Sequence, residues 1–192
     1  MSKSKMNYTL IIALLLACAM QSFGQTVVPA TKQQVDKLIA VLKSDAPHKE
    51  KADACRLLAL VGTKDAVAPL AALLGDEKLS HMARYGLEPI PDRAVDEALR
   101  DALGKLKGRP LVGVIGSIGV RRDTKAVKPL QNILMQHDSD AQVTQAVVRA
   151  LGSIGNMAAA DVLQLALAHA PADNQLDICE GLLRCAERLV AE

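Results

Sequence analysis

The stretch QVTQAVVRALGSIG, residues 142–155, followed at once by AAADVLQLAL, residues 158–167, decides how the chain is read. Its apolar residues recur at helical spacing on both sides of Gly155, so it predicts two short amphipathic helices joined by a tight turn. The same unit appears upstream. KADACRLLALVG (51–62) precedes DAVAPLAALL (65–74), LSHMARYGLEPI (79–90) precedes RAVDEALRDAL (93–103), and LVGVIGSIG (111–119) precedes KAVKPLQNIL (125–134). The Ala pairs or Ala-Val pairs of the second segments begin at Ala66, Ala94, Ala126 and Ala159, giving spacings of 28, 32 and 33 residues. Self-similarity at such a period is the signature of a repeat architecture. No run alternates with period two, so strands are not predicted.

The aligned copies assign roles to individual positions. The turn position falls at Gly62, Ile90, Gly119 and Gly155, where glycine supplies the left-handed residue that ends a helix. Pro69 and Pro129 fall near the start of second helices, where a missing N–H costs least. Arg56, Arg84 and Arg149 share the position six residues before the turn. Two further helices are predicted at the flanks, from TKQQVDKLIAVLK (31–43) and DNQLDICEGLLRCAERLVAE (173–192).

These helix pairs, with proline near the start of the second helix, resemble HEAT repeats, and more closely the short bacterial version known as PBS lyase HEAT-like repeats. The resemblance implies an all-α fold: a right-handed α-solenoid of the HEAT/armadillo type, about four helix pairs plus flanking helices. It also implies that second helices line a concave side. The domain spans 31–192, after a short linker at 25–30. In such repeats an arginine commonly pairs with an aspartate of a neighbouring repeat. The resemblance thus makes Arg56, Arg84 and Arg149 a structural ladder, with Asp65, Asp92 and Asp123 as its partners.

The N-terminus speaks for export. Lys3 and Lys5 precede the apolar run YTLIIALLLACAM, and Ser22 and Gly24 offer small residues ahead of a cut before Gln25. That is the layout of a secretory signal peptide over residues 1–24, too short for a membrane span of roughly 20 apolar residues. LLAC (15–18) resembles a lipobox, so the alternative is lipidation of Cys18 and an outer-membrane lipoprotein. Without residues 1–24 the 23 Lys and Arg fall to 21, matching 21 Asp and Glu, and Tyr85 is the single aromatic residue. A neutral, nearly ring-free chain lacks what nucleic-acid binding demands. Cys55, Cys179 and Cys185 remain, all inside helical apolar patterns, and they read as small hydrophobes rather than a disulfide framework.

Catalytic constellations are not found. His48, His81, His137 and His169 lie in different repeats or turns, and the chain has no HExxH, GxSxG or Walker loop. Deoxyhypusine hydroxylases, which carry HEAT repeats, hold iron with His-Glu dipeptides, and none of the four histidines is followed by Glu. Bilin lyases share the repeat, but no lyase pattern is recognisable. Gly113, Gly116 and Gly119 lack the GxGxxG spacing and read as small residues permitting close helix approach. No catalytic, cofactor or metal residue is therefore assigned.

The expected function is a non-catalytic protein-interaction scaffold in the periplasm or outside the cell, with the membrane involved only if Cys18 is lipidated. The alternatives are an accessory or enzyme of the PBS lyase class (a lyase or a metal-dependent oxidoreductase), or a lipoprotein accessory of an envelope redox or carbohydrate-processing system. The candidate contact residues cluster around HMARYGLEPIPD (81–92), where prolines replace the glycine turn. They are His81, Tyr85 and Glu88, with Arg121 and Arg122 on the rim of the next repeat. Pro89 is expected to end the first helix and push Glu88 towards extended geometry, and Pro91 to help start the second helix.

Overall fold

A computed structural model describes residues 31–136 and 140–191, and among these residues every regular element is helical. The signal peptide, the 25–30 linker, Cys18 and His137 lie outside the described residues. The helices are α1 (Lys32–Lys43), α2 (His48–Val61), α3 (Lys64–Ala71), α4 (Ser80–Leu87), α5 (Arg93–Leu103) and α6 (Gly108–Arg121). A 3-10 turn (Thr124–Ala126) leads to α7 (Val127–Leu134), α8 (Ala141–Ile154), α9 (Met157–His169) and α10 (Ala172–Ala191). Within residues 31–191 they form two rows. Helices α2, α4, α6, α8 and α10 pack consecutively in one row. In the other, α1 packs on α3, α3 on α5, and α7 on α9, while each of these helices also packs on the helix that follows it. The result is an α-solenoid of four helix pairs, begun by α1 and closed by α10.

Local chemistry marks the helix starts. Thr31 and Gln34 form a reciprocal capping box at α1, and Asp92, Asp140 and Asn156 each accept a backbone N–H at the starts of α5, α8 and α9. The apolar faces then merge into one core. Leu58, Leu70, Leu87, Leu99, Ile115, Ile118, Leu130, Leu151 and Leu163 are fully buried across eight successive helices, α2 to α9. Each such side chain contributes about 2 kcal/mol of hydrophobic stabilisation. Since no helix pair encloses its own face, the core exists only because the pairs stack.

The turns depart from the glycine pattern. Gly155 is left-handed, with φ +67°, as the sequence predicts. Gly62 is not: its φ is −65° and ψ 143°, and a Cβ there would collide with the Leu58 carbonyl. Gly119 lies inside α6, and the left-handed residue is Arg122, at φ 54°. The Arg122 N–H meets the Gly119 carbonyl and the Asp123 N–H the Ile118 carbonyl, the paired bonds of a Schellman ending. The turn positions are therefore 62, 90, 122 and 155. Their separations reproduce the 28, 32 and 33 residues of the alanine marks. The shift moves the shared arginine position of the third copy onto Gly116, and it puts Arg121 where other copies have Val61, Pro89 and Ile154.

Proline placement is corrected too. Pro69 lies buried inside α3 rather than in its first turn, and Pro91 precedes the cap residue Asp92. Helix α4 does stop at Leu87, but Glu88 keeps helical dihedrals (φ −52°, ψ −44°). Two bonds hold it there against the clash with Pro89. The Ser117 hydroxyl donates to Glu88 Oε1 at 2.6 Å, and Arg121 Nη1 donates to the Glu88 carbonyl at 2.8 Å.

Arg121 organises this turn. Besides Glu88, its guanidinium donates to the carbonyls of Ile90 (2.8 Å) and Asp92 (3.2 Å), and it forks onto both oxygens of Asp96. Beside it, Arg100 pairs with Asp123. Asp96 and Arg100, four apart on one face of α5, thus meet Arg121 and Asp123 of the next repeat. This is the inter-repeat tie that the ladder expectation sought, built from different arginines. Arg56 pairs instead with Asp53 on its own helix and Arg149 is exposed. Asp65 is exposed in the first turn of α3, and Asp92 caps α5.

The three described cysteines are free. Cys55 and Cys185 are buried and Cys179 is exposed. Burial pushes the Cys55 thiol up to about 11, so it stays protonated at neutral pH.

Two predictions follow from the packing of α6 and its final arginine. A Cβ at Gly116 meets nothing within 4 Å, whereas one at Gly119 would lie 2.9 Å from Ala150 Cα. In denaturant titrations Gly116→Ala raises stability by about 1 kcal/mol and Gly119→Ala lowers it by roughly 1–3 kcal/mol. Arg121→Ala strands the Asp96 carboxylate and three carbonyls, and it costs about 3 kcal/mol by the same measurement. Arg121→Lys keeps the charge but loses the fork, and it recovers less than half of that stability.

Candidate functional site

The residues singled out from the sequence divide among three places. His81 lies exposed in the first turn of α4. Near it are Lys107 to Pro110 at the start of α6, with which it lines a common pocket. Tyr85 and Glu88, at the far end of α4, line a separate groove with Val120, near the end of α6. Helices α4 and α6 therefore run side by side in the same direction, and His81 is separated from the Arg121 rim by the length of α4, about 12 Å. Arg122 is exposed just past the end of α6. Arg121 is engaged inside the turn, its side chain 12% exposed, and this occupation corrects its assignment as a contact residue.

Glu88 is likewise structural in part. Ser117, which holds its carboxylate, is fully buried in α6 and also reaches the Gly113 carbonyl at 3.3 Å. What remains free around Glu88 is apolar. Leu60 of α2 is 76% exposed, Tyr85 of α4 52% and Val120 of α6 65%. With Ala59, Glu88 and Pro89 they line a shallow groove of about 400 Å³. Pro89 is itself exposed, and Leu57 is a further exposed apolar residue of α2.

The repeat explains why these side chains align. Leu60 and Val120 each fall two residues before a turn position, at 62 and 122, so equivalent points on two helices face the same way. Tyr85 rises between them from α4. The sequence alignment, with Gly119 at the turn, set Val120 after a turn and hid this correspondence. Among the described residues, no three of His, Cys, Asp and Glu are gathered to hold a metal ion, and no helix is long and apolar enough to cross a membrane.

The comparisons agree with this architecture. No curated protein matches the chain. The model of the family described as HEAT repeats matches residues 97–182, from within α5 to within α10. The same two-helix unit, with the same packing in rows, continues back to α2. Residues 97–182 thus match HEAT repeats, within an all-helical solenoid whose unit is the same throughout.

Proposed function

We propose that this protein is an exported, non-catalytic scaffold that seats a protein partner on the groove between α2, α4 and α6. The observation that carries the reading is the line of exposed Leu60, Tyr85 and Val120, contributed by three successive repeats. HEAT repeats generally serve as protein-interaction scaffolds, and stacking gives them a surface on which equivalent side chains form a continuous strip. Tyr85 is a suitable anchor, since a rigid ring with a polar tip buries much area at low entropic cost. The partner should present an apolar segment, because the groove offers side-chain area and few hydrogen-bonding groups beyond Glu88. Export to the periplasm rests on residues 1–24, with lipidation at Cys18 as the competing fate.

Affinity capture with a chain beginning at Gln25, against extract of its native envelope, tests the scaffold. Tyr85→Ala and Leu60→Ala are each expected to weaken the retained partner about tenfold, as a truncated interface anchor does, with an unchanged melting temperature. Retention of the same proteins at the same strength by both variants would remove the groove as the docking surface. The mass of the intact protein from its native envelope checks the export assignment. Cleavage after Gly24 leaves an unmodified chain starting at Gln25, and lipidation leaves one starting at an acylated Cys18.

A further inference from the structure

At the other end of α4 lies a different kind of surface. A pocket of about 730 Å³ opens between the starts of α4 and α6, and its walls carry Lys78, Arg84, Lys107 and Arg109 against one carboxylate, Glu77. Helix α6 begins there at Gly108 with no side-chain cap, because Lys107 offers none, and its first-turn amides carry the positive end of a fourteen-residue helix. The wall also contains Ser80, only 6% exposed, whose hydroxyl has no hydrogen-bond partner. Arg84 adds a second orphan. Its Nη1 donates to the Gly113 carbonyl at 3.3 Å, while its buried Nε has no partner. Burial pushes the Arg84 guanidinium below its ordinary pKa, with Glu88 acting the other way. A buried donor left unsatisfied is costly, and two in one cationic wall mark a place where an acceptor belongs.

We propose that this pocket binds the phosphate group of a phosphate monoester, seated against Arg84, Ser80 and the start of α6. A dianion suits four cations facing one acid, and three terminal oxygens serve donors of different geometry better than the two of a carboxylate. The pocket exceeds what inorganic phosphate fills, so the organic part of the ester has room beside His81. The same phosphate chemistry could come from a soluble ester or from a lipid headgroup, and the experiment separates the two.

The test is calorimetric titration of the chain from Gln25 with inorganic phosphate, glycerol 3-phosphate and acetate, at low and raised salt. Flotation with phosphatidylcholine vesicles, with and without phosphatidic acid, runs beside it. At least one phosphate ligand or the phosphatidic acid vesicles should bind, with affinity falling several-fold as salt rises. Lys107→Gln with Arg109→Gln, both at exposed positions, should weaken that binding at least tenfold without changing the circular dichroism. Ser80→Ala should weaken it several-fold while raising the melting temperature of the ligand-free protein, because the orphan hydroxyl is gone. A destabilised fold cannot produce that pair of opposite changes. Soluble binding assigns a free ester, and binding to vesicles alone assigns a headgroup. The proposal fails if neither form binds at millimolar concentration, if acetate binds as tightly, or if binding survives both sets of substitutions.

Discussion

The guanidinium of Arg121 is the constraint on which the middle of the solenoid depends. A helix that ends on a left-handed residue satisfies its last carbonyls through the backbone, as α6 does at Arg122 and Asp123. Helix α4 has no such ending, because Pro89 and Pro91 remove two N–H groups from the turn. The carbonyls of Glu88 and Ile90, in the turn that ends it, are met instead by a side chain thirty-odd residues away. One interaction therefore caps a helix and joins two repeats, and the Arg100–Asp123 pair beside it closes the junction from the other side. The tie joins α5 to the end of α6 and to Asp123, the cap of the 3-10 turn that leads into α7. Charge takes on there a share of the joining that apolar contact provides elsewhere in the row.

How much of this was legible in the sequence follows from the kinds of signal involved. The helix pairs, their number and the flanking helices were readable, because packing repeats the same apolar spacing and the alanine marks keep the period. The turn of the third copy was misplaced because Gly119 looked like a helix ending. Its real task is to let α6 approach Ala150 of α8, and the left-handed conformation falls to an arginine. The 33-residue spacing between Ala126 and Ala159, subtracted from Gly155, would have pointed to Arg122. The partners Asp96 and Arg100 carried a weaker signal, an acid and a base four apart on a predicted helix. Nothing in one helix says which residues of the next repeat they will meet.

The two ends of α4 show how one short helix serves surfaces of opposite character. Towards the Glu88 end, polar groups are consumed internally by Ser117 and Arg121, and the exposed remainder is apolar. Towards the Ser80 end, cations gather and two donors stay unmet. A partner using the groove would be held by area and shape, with little dependence on salt. A ligand at the cationic end would be held by charge and would respond to salt. The surfaces are separated by about 12 Å of helix, close enough for one bound molecule to span both.

The shared arginine position makes the same point about repeats in general. Arg56, Arg84 and Arg149 occupy equivalent places, and equal placement would suggest equal work. Their surroundings differ. Arg56 bonds to Asp53 within its own helix, Arg149 is exposed, and Arg84 is drawn inward because Gly113 of α6 leaves the space that a Cβ would fill. A repeat fixes the direction in which a side chain leaves its helix, and the neighbouring helix decides what that side chain meets. In this chain the deciding residue is a glycine on α6. Its absent side chain, rather than any property of Arg84 itself, turns a surface cation into the floor of a pocket.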